Sequence, residues 1–127
     1  IFSVSMKIKN NGTTAVYIPT EGLSGIPNTN TFDSVQGNIG GSSGSAFISS
    51  EAVLMPAGYD FKLNPGEEKY FTLIRNLSFA VGVPQAPQNT VRMKVQGIPY
   101  FSASRNDNIG TPMIAPITPI HTPYITL

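Results

Sequence analysis

Cysteine is absent from the 127 residues. That excludes disulfides, thiolate metal sites and a cysteine nucleophile, and leaves the redox compartment open. Charge is scarce too: 12% of residues are Asp, Glu, Lys or Arg, about half the usual share of ~25%. The net charge is +1, and basic residues form no cluster. A nucleic-acid binder needs a basic face to release counterions, so nucleic acid is not expected as a partner. No apolar run reaches the ~18 residues of a membrane span. The first residue is Ile1 and not Met, as in a processed chain or an excised domain. Membrane attachment is expected only through an N-terminal anchor absent from this chain.

What the chain does contain suits one domain, residues 1–127. Hydrophobic residues make up 40%, enough for an ordinary core at a length where folding buries roughly two thirds of the chain's surface. With so little charge, the surface must be covered by Asn, Ser, Thr, Gly and Gln. Such a coat is common on secreted and cell-surface β proteins, so an extracellular or cell-surface location is expected.

Periodicity points to strands. Phe2, Val4, Met6 and Ile8 alternate with Ser3, Ser5, Lys7 and Lys9, the period-2 signature of a half-buried strand. The Asn10–Gly12 turn and a β-branched run, Thr13–Ile18, follow. Residues 21–45 are rich in Gly, Ser, Asn and Thr and read as a long surface loop with one short strand around Phe32–Val35. Ala46–Met55 is the next candidate strand. Asn89–Phe101 alternates again, with Val91, Met93 and Val95 on one side. Leu63–Leu73, "LNPGEEKYFTL", admits two readings. Asn64 and Pro65 could open a helix, and Tyr70, Leu73, Ile74, Leu77 and Val81 fall at helical spacing. A type II turn at Asn64–Glu67, feeding a strand over about Lys69–Arg75, fits Pro65 and Gly66 better. The tail, residues 111–127, has prolines at 112, 116, 119 and 123. They forbid a helix or a central strand. The apolar residues between them predict an extended segment docked along an edge or groove, of its own domain or of a neighbouring subunit. The fold expected is all-β: an antiparallel immunoglobulin-like β-sandwich of about seven strands, with a long Gly/Ser/Asn loop and an extended Pro-rich C-terminal segment.

Catalytic and metal chemistry find little footing. The one histidine, His121, stands in the proline-rich tail, where a Ser-His-Asp arrangement would not be held rigidly. A catalytic zinc site takes two or three His. Glu67 and Glu68 are adjacent and diverge on a strand. Arg105–Asn108, "RNDN", offers oxygen ligands without the spacing of a calcium loop. Gly37–Gly44 lacks the Lys-Ser/Thr of a phosphate cradle. No enzyme activity, cofactor or metal is expected. Two glycosylation sequons are present, Asn11-Gly12-Thr13 and Asn76-Leu77-Ser78, and Asn11, in a turn, is the better acceptor.

"VSMKIKNNGTTAVYI" followed by "LNPGEEKYFTLI" resembles paired elements of extracellular immunoglobulin-like modules. With its neutral surface the chain is similar to the soluble domains of archaeal pilin-like and archaellum proteins, in particular archaellum accessory protein F. The resemblance implies a non-catalytic anchoring role, in which the sandwich contacts a surface-layer or filament protein while the filament turns. The alternative is a structural subunit of an extracellular filament or viral capsid, assembled by strand or tail exchange. Phe47 and Ile48 cannot both enter one core from a regular strand. Either a bulge buries both, or Ile48 points outward beside Ser50 and the segment contributes to a homodimer. Phe47, Ile48 and Ser50 are therefore the interface candidates.

Overall fold

The computed structural model describes residues 2–20, 32–37, 42–77, 90–107 and 110–126. Within them the chain is all-β, without helix. The strands are β1 (Phe2–Lys9), β2 (Val16–Pro19), β3 (Asp33–Gly37), β4 (Ser42–Ile48), β5 (Val53–Leu54), β6 (Asp60–Leu63), β7 (Glu68–Leu77), β8 (Thr90–Tyr100), β9 (Met113–His121) and β10 (Ile125–Thr126). They form three antiparallel sheets. The first runs β1-β7-β4 and the second β2-β6-β5; in the third, β3 lies on one side of β8 and β9 and β10 on the other.

The alternation in β1 sets its faces. Phe2 is buried, and Val4, Met6 and Ile8 pack against the core while staying half-exposed; Ser3, Ser5, Lys7 and Lys9 face solvent. In β8, Val91, Met93 and Val95 are completely buried. Met93→Ala is expected to cost about 2–5 kcal/mol, from lost transfer energy and the cavity left behind. A chemical-denaturation difference under roughly 0.5 kcal/mol, the range of surface sites, would contradict that placement.

The stretch Leu63–Leu73 is a turn and a strand. Gly66 has φ +79°, and Glu67 N–H donates to Asn64 O at 3.0 Å, which defines the type II turn that needs Gly at its third position. The turn is a corner between sheets, since β6 pairs with β2 while β7 pairs with β1. Asn10, buried, pins it. Its Nδ2 donates to the carbonyls of Thr14 and Leu63, and its Oδ1 accepts from Gly12 N–H. Its backbone N–H donates to Glu67 O, and its carbonyl accepts from Gly66 N–H. Both strand pairs therefore change sheet at one place. The strand after the turn, β7, is longer than expected and leaves no helix over 67–77; residues 78–81 lie outside the described residues.

Two expectations need revision. Ala46–Met55 is not one strand: β4 ends at Ile48, and Ser49 closes a turn. Ser49 Oγ donates to Tyr70 O at 2.7 Å and accepts from the N–H groups of Ala52 and Glu51. The chain then enters the second sheet as β5. The Gly/Ser-rich run is not all loop either, because Ser42–Ser45 opens β4; 21–31 and 38–41 lie outside the described residues. The tail lies extended along an edge, as expected, and does so as regular strands. β9 and β10 pair along one edge of β8, with a register shift between Val95 and Gly97. Thr122 joins the two by exchanging hydrogen bonds with Met93: Thr122 N–H donates to Met93 O, and Met93 N–H donates to Thr122 Oγ1.

The inward faces of all three sheets share one core. A line of aromatic rings, Phe32, Phe47, Phe71 and Phe61, crosses it with centroids 5.7–6.5 Å apart. Two buried ion pairs tie distant segments together. Asp60 is completely buried; its Oδ2 accepts from Arg105 N–H at 2.7 Å and its Oδ1 from Arg105 Nε–H at 3.0 Å. Arg105 also donates to Tyr59 O, and its guanidinium lies 4.1 Å from the centre of the Phe101 ring. In the other pair Arg75 Nη1 lies 2.9 Å from Asp33 Oδ2, a charge contact in which the N–H is not aimed along the hydrogen-bond line.

Candidate functional site: an apolar groove between two strand edges

The first and third sheets do not close against each other along β1. Between β1 with its following turn, on one side, and the end of β8 with β9, on the other, lies a groove of about 850 Å³. That is within the roughly 300–1,000 Å³ of ligand sites. Buried Ile18, Leu63 and Ile98 line its depth; Met6 and Ile8 line one wall and Ile117 the other. Among the described residues β1 and β9 are both outer strands, and the chain turns away at Asn10 after β1. Among the described residues β1 pairs only with β7.

Polar groups gather at the rim. Thr14 and Thr118 are exposed there. Among the described residues Lys7 and Lys9 are the charged residues of the lining, and no carboxylate lines it. Lys7 Nζ sits 5.1 Å from the centre of the Tyr70 ring. A hydrogen bond with Tyr70, then the charges of Tyr70 and Glu68, hold its pKa above the ordinary value. Lys9 lies opposite Glu68 on β7. The wall offered to a ligand is thus apolar, with cationic and hydroxyl groups at its margin.

The residues singled out in the sequence fall in several places. Phe47 is buried in the core, whereas Ile48 and Ser50 are exposed. Ile48 shares the outer face of the first sheet with Tyr70, and the two are 52% and 53% exposed. Asn11 is exposed at the groove mouth. Asn76 lies within β7, and Ser78 of its sequon is outside the described residues. His121 ends β9 opposite Lys94. Partial desolvation, then the positive charges of Arg92 and Lys94, lower its pKa. In "RNDN" Arg105 is turned inward to Asp60, Asn106 and Asp107 are exposed, and Asn108 is outside the described residues. Among the described residues no three His, Asp or Glu side chains group as a metal site.

Sequence reasoning missed the groove. One signal was present, the apolar residues spaced between the tail prolines, which did point to docking. The other wall, β1, has the alternation of a core strand, and that pattern alone does not show that, among the described residues, it pairs on one edge only. No protein-family model matches the chain, and no curated protein or solved structure matches it significantly.

Proposed function

We propose that this domain is a non-catalytic binding module of the cell surface, with the groove between β1 and β9 as its contact surface. The groove carries the reading: a large, open, apolar wall with a sparse polar rim suits recognition. Among the described residues its lining brings no acid–base pair together. We read the sheets as an immunoglobulin-like sandwich, supported by antiparallel sheets whose inward faces share one core. The resemblance to archaellum accessory protein F supports a stator-like anchoring role in the space between membrane and surface layer, with surface-layer or filament protein as partner. In the alternative, a filament or capsid subunit built by tail exchange, β9 and β10 would first have to leave β8. Their pairing within the domain favours the anchoring role.

The test is binding of the domain to purified surface-layer protein, compared with the Thr118→Arg variant. Thr118 is exposed at the rim, so the arginine fills the mouth without entering the core. The variant is expected to melt like the parent and bind at least about tenfold more weakly, a loss of about 1.4 kcal/mol. Equal binding would remove the groove from the contact.

A second contact surface follows from Ile48. With Tyr70 it forms an exposed apolar part of the outer face, which suits a two-fold homodimer. The free edge of β4 is less available than its position suggests, because Phe47 N–H donates to Thr20 O; the dimer would meet through the face. Ile48→Lys is expected to stay folded, changing stability by no more than roughly 0.5 kcal/mol, and to halve the particle mass seen by light scattering. A parent chain that is already monomeric would sink the idea.

A further inference from the structure

The reading of the groove as a contact surface is the premise here; what occupies it is the new point. Its two lips differ. Along β1, backbone N–H and C=O groups at alternate residues turn away from β7, as on any outer antiparallel strand, and no proline interrupts its eight residues. Along β9, Pro116 and Pro119 have no N–H to offer, which blunts that lip. β1 also has uncovered side chains. Val4, Met6 and Ile8 point inward but are only half-buried, whereas Phe71, Leu73, Met93 and Val95 on β7 and β8 are almost wholly covered. A strand laid beside β1 would extend the first sheet over the groove mouth. It would pair with the backbone groups that turn away from β7, which bond to no described strand, and its inward residues would cover those three.

The charges narrow the occupant. Among the described residues Lys7 and Lys9 are the charged residues lining the groove, both exposed on β1, and no carboxylate lines it beside them. A second copy of β1 would bring four lysines to one seam, and lysines on outer strands act against such self-pairing. Opposite charges across a strand pair attract. We propose that the groove takes an extended segment of a partner protein, added as a strand to the edge of β1 that faces away from β7. Its apolar residues would alternate inward over Met6 and Ile8, and acidic residues at the intervening positions would face Lys7 and Lys9.

Four synthetic peptides of eight residues test this against the intact domain. One alternates apolar residues with Glu, and one replaces each Glu by Lys. The other two are the Glu peptide N-methylated at odd or at even amides. Affinity is read by fluorescence anisotropy and position by the amide shifts of β1. The Glu peptide is expected to bind and to shift β1, with the Lys peptide about tenfold weaker. The doubly substituted Lys7→Glu/Lys9→Glu domain should reverse that order. One N-methylated peptide should lose binding and the other keep it, because only one set of amides can face β1. If both N-methylated peptides bind like their parent, strand addition is wrong while the groove remains a contact surface. If no peptide binds, strand addition is again overturned, and the Thr118→Arg comparison still decides the groove on its own.

Discussion

Replacing Gly97 by valine is expected to destabilise the domain by about 3 kcal/mol, which lowers its melting temperature by roughly 10 °C at this size. Gly97 lies in β8, where β9 closes tightly over it. A Cβ built there meets Ile114 Cγ2 at 2.5 Å, Ala115 O at 3.3 Å and Phe32 Cβ at 3.5 Å. The first contact is well inside van der Waals range, and the second is to backbone, which cannot rotate away. Strand propensity alone argues the other way, since valine favours strands and glycine weakens them. The sign of the change therefore separates the two effects. A variant as stable as the parent, or more so, would mean that β9 is not seated on β8 as described. Gly97→Ala should fall between the two.

The second large effect is expected at Asp60. Asp60→Ala should cost about 3–5 kcal/mol, because it leaves the Arg105 guanidinium buried without its counter-charge. The carboxylate is completely buried and holds Arg105 through Nε, Nη2 and the backbone N–H. The companion Asp60→Ala/Arg105→Met removes both charges, and methionine can keep the contact with the Phe101 ring. Much of the loss should return in that double variant, since a buried ion pair is often no more stabilising than apolar residues in its place. Denaturation midpoints of the two single variants and the double complete a cycle. If the double variant is as unstable as Asp60→Ala, lost packing rather than stranded charge governs the site.

How much of this was legible depended on sequence distance. β1 and β8 were clear from their alternation, because burial on one face writes a period of two directly into the chain. The Asn64–Glu67 turn was legible from Pro65 and Gly66, whose backbone restrictions act locally. The strand at 42–45 was hidden, since nothing in "SSGS" favours a strand; pairing with β7 imposes it. The inward turn of Arg105 has no local signal in "RNDN", because its partner, Asp60, lies 45 residues away. The groove is the extreme case: its walls come from β1, the end of β8 and β9, and only the assembled sheets bring them face to face.

The pairing of β1 with β7 also bears on how the domain is made. Lys9 meets Glu68 and Phe2 meets Arg75, so β1 leaves the ribosome and waits for a partner synthesised about sixty residues later. At roughly 5–20 residues per second that wait lasts about 3–12 s. Contacts so distant in sequence also put the later folding step in the millisecond-to-second range. Throughout, β1 is an unpaired segment of alternating apolar residues, the kind that stacks with its own copies. Lys7 and Lys9 interrupt that alternation with charge and act as gatekeepers for the nascent chain, well before there is a groove for them to border.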